Sequence, residues 1–317
     1  MLRALRNGAI PRDESGLSIV SSAGPALELT PVDAMPPRLE GAASIEGEVL
    51  TARAVGTPVV AFAAFLDGIQ SSKVILSGRD AAPVVHGTVA AVVRERTDRT
   101  LHVWRGAPRI SRALYAPVAL IGARDLERLR ATHAEIVDTL ADGDGPLARH
   151  PLELVALART AVQRRREELE TALAEAWCDA GAAPLFMDGG ISGAGRAAQS
   201  GFAVGVVKSH RTLYATAGTL GVVTGLAAGE RTSAFEIRSP RRTTVASWYL
   251  RLREAQGDPF FGLVRIEIAS DSWSVERADE VSRWVLAERA PVSLPDKRWS
   301  TMAYGIRDCE EYLRALV

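Results

Sequence analysis

The chain has 317 residues, of which 47% are apolar and 24% are charged, and its 38 Lys and Arg residues balance its 38 Asp and Glu residues. This composition is that of a folded globular protein with a substantial core, and it excludes disorder of the chain as a whole. A balanced net charge does not by itself indicate a polyanionic partner. Almost all of the basic residues are arginine, the side chain suited to bidentate phosphate contacts, although a GC-rich genome gives the same bias.

The chain contains two cysteines, Cys178 and Cys309. They are too few for a disulfide scaffold or for a metal site built from thiolates, and a reducing compartment fits them. The N-terminus carries no continuous apolar segment of signal-peptide length, and the sequence has no run of about 18 uncharged apolar residues that could cross a membrane. We therefore expect a cytoplasmic protein with no membrane partner.

Residues 1–45 differ in composition from the rest of the chain. They contain scattered glycine and serine together with five prolines: Pro11, Pro25, Pro31, Pro36 and Pro37. Prolines at this density interrupt regular structure, so we expect an N-terminal arm that packs on the body or docks on a partner. Residues 46–317 are expected to form the main domain.

The first part of this domain has the pattern of β-strands. Residues 58–66 form a dense apolar run that ends at Asp67-Gly68, and residues 72–76 form a second short run beyond it. This pattern predicts the two strands of a hairpin, with a turn between them.

The next segments predict a second strand pair followed by two helices. Strands are predicted at residues 84–93 and 101–104, with the polar residues 94–99 between them as a solvated turn. Apolar residues then recur at helical spacing, which predicts helices over residues 124–140 and 152–177.

The remaining segments are mostly strands and close with helices. After the second helix, residues 184–187 form a buried strand that leads directly to Asp188. Further strands are predicted at residues 202–208, 213–217, 233–237, 245–253 and 262–269, and further helices at residues 279–288 and 299–316. This order predicts a mixed α/β fold rather than regular βαβ winding.

Two segments, FLDG (65–68) and FMDG (186–189), lead apolar residues directly into an aspartate and a glycine. A carboxylate fixed at the end of a buried strand suits a hard divalent ion such as Mg²⁺ or Mn²⁺, and the glycine allows close approach of a substrate backbone. Carboxylates that converge on two such ions are the usual protein part of phosphodiester hydrolysis. Asp67 and Asp188 are therefore candidate metal ligands, and the alternative is that each Asp-Gly is a turn dipeptide.

A third ligand is expected from the helix before the second acid, since a helix that packs across a sheet can place a side chain over the strand ends. Three glutamates are candidates there: Glu167, Glu168 and Glu170. Glu170 lies at the edge of the apolar stripe, whereas the other two lie farther towards solvent, so we select Glu170. The alternative is that all three form i to i+4 ion pairs with neighbouring arginines.

Three further polar residues were considered for the same site. Lys208 closes a buried strand and is placed either to meet a phosphate as a point charge or to extend to solvent. His210 has no second histidine at ligand spacing, which argues against a metal role. Glu267 is a candidate both for a cross-strand ion pair and for a ligand.

Other chemistries lack their motifs in this sequence. There is no Gly-x-x-x-x-Gly-Lys-Ser/Thr loop, and residues 189–195 lack the spacing of a dinucleotide-binding fingerprint, so nucleotide hydrolysis is not expected. Ser192 and Ser209 have no matching histidine and acid, which makes a serine hydrolase a poor fit.

Several segments, in order, resemble the NurA family of DNA-repair nucleases over residues 55–310. They are FLDGIQSSKVI (65–75), a charged helix, PLFMDGGISG (184–193), VGVVKSHRTLY (204–214), FGLVRIEIA (261–269) and LPDKRWSTMAYGIRD (294–308). The most specific part of the resemblance is the second Asp-Gly strand followed by the Gly-Val-Val-Lys strand.

This resemblance implies an α/β fold with an RNase H-like mixed sheet flanked by helices, akin to the Piwi domain of Argonautes. It implies a DNA nuclease that depends on two Mn²⁺ or Mg²⁺ ions, forms a homodimer and works with a HerA-type hexameric ATPase in DNA end processing or anti-phage defence. Asp67 matches the first acid of the family, Glu170 the helix glutamate, Asp188 the second aspartate and Lys208 the lysine after it. Asp67 and Asp188 are then expected to lie side by side in the sheet.

The sequence departs from the family pattern near its C-terminus. Relatives tend to place a histidine in the segment that corresponds to residues 295–303, which here leads into Tyr304. Asp308, one turn further along the predicted helix, is a candidate fourth metal ligand. The site has therefore either changed its last ligand or is weakened.

The leading hypothesis is a two-metal DNA nuclease in which Asp67, Glu170 and Asp188 hold the ions and Lys208 contacts phosphate. The alternative is a catalytically inactive adaptor that docks on the ATPase and binds DNA, which the missing histidine favours. A third class, an Argonaute-like module that binds guide and target strands, is disfavoured because 317 residues leave little room for separate pockets for the strand ends.

Overall fold

The computed structural model describes residues 18–19, 36–78, 81–98, 100–132, 135–140, 150–181, 183–289 and 299–317. The strands, in chain order, are β1 (Ser18–Ile19), β2 (Arg38–Glu40), β3 (Ala43–Ser44), β4 (Ala52–Ala54), β5 (Ala64–Ser77), β6 (Pro83–Thr97), β7 (Thr100–Val103), β8 (Arg109–Ala116), β9 (Glu135–Asp138), β10 (Leu185–Asp188), β11 (Ala203–Val207), β12 (Thr212–Tyr214), β13 (Glu230–Thr232), β14 (Phe235–Ile237), β15 (Val245–Arg251) and β16 (Leu263–Ala269). The helices are α1 (Ala123–Arg130), α2 (Pro151–Asp179), α3 (Leu220–Thr224), α4 (Val275–Glu288) and α5 (Tyr304–Arg314).

Most of the described strands belong to one mixed sheet, whose main path runs β3-β14-β15-β16-β11-β10-β5-β6-β8-β9. In this path the neighbours β5–β10, β10–β11 and β8–β9 are parallel, and the other neighbours are antiparallel. Strands β2 and β12 form a separate small parallel sheet. Helices cover both faces of the large sheet, so the predicted α/β fold with a mixed sheet flanked by helices is confirmed, and its RNase H-like character stays a prediction.

Neighbouring residues of β5 point to opposite faces of the sheet, and each face has its own core. Ala64 and Leu66 pack under α2, in one cluster with Leu173 and Trp177. Phe65 packs on the opposite face, in the cluster that includes buried residues of α4 and α5. Because the central strands are buried on both faces, their sequences are nearly continuous apolar runs.

The first Asp-Gly lies within a strand and not in a turn. The hairpin predicted over residues 58–76 is instead a single strand of 14 residues, β5. It pairs with β6 in unbroken register from Ala64 to Val74, and Asp67 lies inside this paired stretch. The hairpin prediction was wrong because the polar residues 70–73 are exposed positions of a long strand, where no turn is needed.

The segment predicted as a solvated turn, residues 94–99, lies mostly in β6. Arg94 binds Asp308 of α5 at 2.5 Å, and Arg96 binds Glu288 of α4 at 2.7 Å. Carboxylates from two helices therefore neutralise these arginines where the strand packs beneath the helices. The turn prediction was wrong because such partners cannot be seen in the local sequence.

The helix predicted over residues 124–140 is only partly present. It ends at Arg130, and Glu135–Asp138 forms β9, which pairs in parallel with β8 at the edge of the sheet. Ile136 packs in the small core beneath α1, so the apolar residues of this stretch are buried by a strand instead of a helix. The partner strand β8 was not predicted.

The other predicted elements are present with shifted ends. The predicted helix over residues 152–177 is α2, and the strands predicted at 184–187, 202–208, 213–217, 245–253 and 262–269 correspond to β10, β11, β12, β15 and β16. The strand predicted at 233–237 corresponds to β14, the helix predicted at 279–288 is α4, and the helix predicted at 299–316 begins at Tyr304 as α5. Strand β13, which ends at Thr232, was not predicted.

Most of the predicted N-terminal arm, residues 1–45, lies outside the described residues. Its described end pairs with the body, since β2 lies beside β12 and β3 beside β14. Just beyond it, Glu46 binds the fully buried Arg231 at 2.7 Å. The domain boundary at residue 45 stays a prediction.

The longest described helix, α2, has 29 residues and carries many charged side chains. Across the described ranges, no helix combines the length and the apolarity needed to cross a membrane.

The packing of α5 on β5 gives a test of the core. A Cβ at Gly305 would overlap the Phe65 ring, so Gly305→Ala is expected to lower the free energy of unfolding by about 1–3 kcal/mol. Gly221 of α3 has no atom close to such a Cβ, and Gly221→Ala is expected to be neutral or to raise stability by up to about 1 kcal/mol. Urea unfolding measures both variants, and equal stability of the two would contradict this packing.

Candidate active site

Two parallel strands bring the predicted acids together. The last pair in the register between β10 and β5 is Met187 with Leu66, so the next residues along both strands are Asp188 and Asp67. The acids therefore lie side by side where β10 ends, although β5 continues past this point. The placement expected from the sequence is present, and the roles of the two residues as ligands stay predictions.

Asp67 is the more buried of the two acids, with 6% of its surface exposed. Its Oδ1 accepts a hydrogen bond from the backbone N–H of Gly68 at 2.8 Å. Burial, and after it the negative charge of Asp188, raise the pKa of Asp67 well above its ordinary value, although Lys208 opposes the shift. An ionised Asp67 is therefore unfavourable unless positive charge is added nearby.

Lys208 follows β11 and supplies one positive charge to this pair. Its Nζ lies 2.8 Å from Oδ1 of Asp188, and about a quarter of each side chain is exposed (24% and 26%). One ammonium faces two carboxylates, so the cluster keeps an excess of negative charge when both are ionised. The partial exposure leaves the ammonium reachable by an anion from solvent.

Glu170 lies where α2 crosses β5. Its Oε1 lies over Gly68, where a Cβ would overlap it, so the glycine is what allows this carboxylate to reach the strand. Glu170 forms an ion pair with Arg166, whose Nε donates a hydrogen bond to Gln70 at 3.1 Å. Burial raises the pKa of Glu170 to about 7, even though Arg166 acts in the opposite direction.

The other two glutamates of the helix are exposed, as their spacing predicts. Glu167 accepts a hydrogen bond from Gln163 at 2.9 Å, and Glu168 forms an ion pair with Arg165 at 3.3 Å. Of the three candidates, Glu170 is the one whose carboxylate lies over Gly68 and whose charge further raises the pKa of Asp67.

The remaining sequence candidates have other partners. Asp308 lies on α5 and binds Arg94, and its role as a fourth metal ligand stays a prediction. Tyr304 begins α5 and is 58% exposed. The His210 ring stacks on Phe260, with 5.4 Å between the ring centroids.

The fit of the acid pair to a divalent metal depends on which donor atoms the described residues bring together. Among the described residues, no group of three or more His, Cys, Asp or Glu side chains is arranged to hold a metal ion. The donors nevertheless have the right chemistry, because Mg²⁺ and Mn²⁺ prefer carboxylate oxygens and retain waters for their other positions. Asp67 and Asp188 would hold such an ion, and Glu170 would join them only after leaving Arg166.

A cleft of about 730 Å³ opens next to Asp188. Glu267 fixes the loop of residues 189–193 at its wall, because one carboxylate oxygen accepts the N–H of Ile191 at 2.8 Å while the other binds Arg265 at 2.9 Å. The sequence left Glu267 open between a cross-strand ion pair and a metal ligand, and the ion pair in the structure is instead with Arg265 of the same strand, β16. Alternation along β16, which places residues 265 and 267 on one face, is the signal for it.

The turn between β14 and β15 borders the same cleft and carries Arg241 and Arg242. Neither residue was selected from the sequence. The run RSPRR at residues 238–242 is the signal that could have indicated them.

No family model and no curated protein matches the chain. Among solved structures, the chain is similar to one titled "Crystal structure of the NurA nuclease from Sulfolobus solfataricus", with 10% sequence identity and a TM-score of 0.43, over 86% of this chain and 81% of that chain. A similarity at this level does not establish a family or an activity.

The buried acid pair predicts a pH-dependent cost to stability. A carboxyl group whose pKa is raised in the folded protein destabilises the fold above its unfolded pKa, about 3.9 for Asp, and the cost grows until the pH passes the folded pKa. In EDTA, Asp67→Asn is therefore expected to raise the free energy of unfolding by about 1–3 kcal/mol at pH 8, and by less at pH 5.

The matched control is Glu127→Gln, which alters an exposed carboxylate on α1 and should leave stability unchanged at both pH values. Urea unfolding at pH 5 and pH 8 measures all three proteins. A loss of stability in Asp67→Asn at pH 8 would mean that the carboxylate stabilises the fold, which contradicts the unfavourable pair.

Proposed function

We propose that this protein is a divalent-metal-dependent nuclease that hydrolyses DNA phosphodiester bonds. The observation that carries the proposal is the pair of carboxylates, Asp67 and Asp188, held side by side with Lys208 bound to one of them. Bound Mn²⁺ or Mg²⁺ would supply Lewis acidity to the attacking water and to the leaving oxygen. In the reaction the water oxygen bonds to phosphorus, the P–O ester bond breaks, and the leaving oxygen gains a proton.

The chain's own residues have separate roles in this proposal. Asp67 and Asp188 hold the ions, and Lys208 binds a non-bridging phosphate oxygen as a point charge. Glu170 is the third carboxylate, which joins when a ligand in the cleft draws Arg166 away from it. Support comes from energetics, because adjacent carboxylates of which one is buried destabilise a fold and occur mainly where function requires them.

The partner, the assembly and the biological setting rest on the sequence resemblance alone. They are a HerA-type hexameric ATPase, a homodimer, and a role in DNA end processing or anti-phage defence.

A second candidate is a catalytically inactive adaptor that docks on the ATPase and binds DNA. Two observations favour it. The described residues contain no ready group of three metal-binding side chains, and Glu170 and Asp308 are both bound to arginines. The nuclease and the adaptor make opposite predictions for cleavage.

Cleavage of single-stranded and duplex DNA with Mn²⁺, with and without the ATPase, tests the nuclease. Asp188→Asn is expected to lower the rate by about 10³-fold or more, because it removes a metal ligand without changing side-chain size, and Lys208→Met by about 10- to 100-fold. Glu167→Gln is the matched control on the exposed face of α2 and should cut at the unmutated rate. Full activity in Asp188→Asn would contradict the catalytic assignment, and no cleavage by the unmutated protein in any condition would favour the adaptor.

Metal binding can be measured without activity. Mn²⁺ at 100 times its Kd stabilises a folded protein by about 2.7 kcal/mol, so it is expected to raise the Tm of the unmutated protein. The double variant Asp67→Asn/Asp188→Asn should show no such shift, while Glu167→Gln should keep it. A Tm that does not respond to Mn²⁺ in the unmutated protein would contradict the metal role of the pair.

A further inference from the structure

The cleft beside Asp188 is bordered by arginines of two kinds. One kind consists of arginines that belong to regular elements and are each paired with a glutamate: Arg38 with Glu40, Arg166 with Glu170 and Arg265 with Glu267. The other kind is Arg241 and Arg242, which lie in the turn between β14 and β15. Both are exposed, and within the described parts of the chain neither side chain forms an ion pair.

This turn is held in place against the loop that follows Asp188. The backbone N–H of Thr243 donates to the carbonyl of Ser192 at 2.9 Å, and the N–H of Arg242 closes the turn on Ser239 at 3.2 Å. The Arg242 guanidinium lies over Gly193, 3.6 Å from the position that a Cβ there would take. The backbone of the turn is therefore held at the rim of the cleft, and it carries the two unpaired arginines there.

The composition of the cleft indicates the class of ligand. Its ion pairs cancel, and the two unpaired arginines outnumber Glu167, the lining carboxylate whose partner is the neutral Gln163, so the rim keeps a positive excess that an anion can satisfy. Planar guanidinium groups match phosphate oxygens in geometry. Among the described lining residues the aromatic side chain is Tyr214, and the Arg265 guanidinium covers its ring at 4.9 Å from the centroid. With no open ring for base stacking, the recognisable feature of a nucleic acid here is its backbone.

The size of the cleft limits the form of that ligand. Its volume of about 730 Å³ lies within the range of small-molecule pockets, which suits a short stretch of one strand. Resting on the proposed nuclease function, we propose that Arg241 and Arg242 bind the phosphodiester backbone of a single nucleic-acid strand and direct it along the cleft to Asp188. Recognition of this kind is independent of base sequence.

Binding of a fluorescent 15-nucleotide oligo(dT) to the full chain in EDTA tests this inference, because cleavage is then absent. Each phosphate neutralised on a single strand contributes about −0.7 to the slope of log K against log salt, so Arg241→Gln/Arg242→Gln should make the slope less steep by about 1.4. Affinity at low salt is expected to fall at least about tenfold for the loss of two charge-assisted contacts. Arg241→Lys/Arg242→Lys keeps both charges and should keep the slope.

The matched control is Arg124→Gln/Arg130→Gln, which removes two exposed arginines from α1, the helix next to the opposite edge of the sheet. It should bind like the unmutated protein. Unchanged affinity and slope in Arg241→Gln/Arg242→Gln, or an equal loss in the control, would overturn the inference. Duplex DNA that depends on the two arginines more strongly than the oligonucleotide does would overturn the single-strand form.

The results that would refute this inference differ from those that would refute the nuclease proposal. If the oligonucleotide binds through the two arginines but the unmutated protein cuts no DNA with Mn²⁺, the nuclease proposal fails and strand binding by this turn stands. If Asp188→Asn abolishes cleavage while Arg241→Gln/Arg242→Gln binds normally, the nuclease proposal stands and this inference fails.

Discussion

The parallel pairing of β10 with β5 is the constraint on which the site depends. It joins two segments far apart in the sequence and sets their register, so that one residue beyond the last pair two carboxylates meet. The register is secured by both faces of the sheet at once, because Leu66 and Met187 face α2 while Phe65 and Phe186 face the core beneath α4 and α5. A slip of one residue would exchange the side chains between the two cores and disrupt the packing of both, which makes the meeting of the acids a consequence of core packing.

The crossing of α2 over β5 adds the third carboxylate and explains why the position after Asp67 is glycine. Gly68 faces the helix, and its missing side chain leaves room for the Glu170 carboxylate, which is then buried and depends on Arg166 for its counter-charge. Lys208 supplies the counter-charge for Asp188. Glu170 and Asp188 are therefore each paired with one cation on a long flexible side chain. Such cations can move to a phosphate without disturbing the backbone, which is what separates this cluster from a fixed structural ion pair.

The parts of the fold that were predictable from the sequence are those in which local periodicity and burial agree. The long helix α2 and the strand leading to Asp188 follow from spacing, and so does the inward position of Glu170 relative to Glu167 and Glu168. Strand β5 was divided in error, because its polar half is supported by β6 and not by its own pattern. Arg94 and Arg96 were misassigned for a related reason, since their carboxylates come from helices near the end of the chain. In each of these cases the structure depends on a partner outside the segment itself: β6 for β5, and helix carboxylates for the two arginines.

The role of each arginine in this arginine-rich chain depends on the partners that the fold gives to its side chain. Arg231 is fully buried, binds Glu46 at 2.7 Å and Asp279 at 2.6 Å, and so ties the chain beyond the predicted arm to α4. Arg251 is also buried and donates to backbone carbonyls, with the oxygen of Phe261 at 2.6 Å. These side chains hold the structure together and are not available to a ligand. Arg241 and Arg242 have no ion-pair partner among the described residues, so they can meet a phosphate without first breaking an ion pair, whereas the paired arginines of α2 and β16 that border the same cleft must give up a carboxylate to do so.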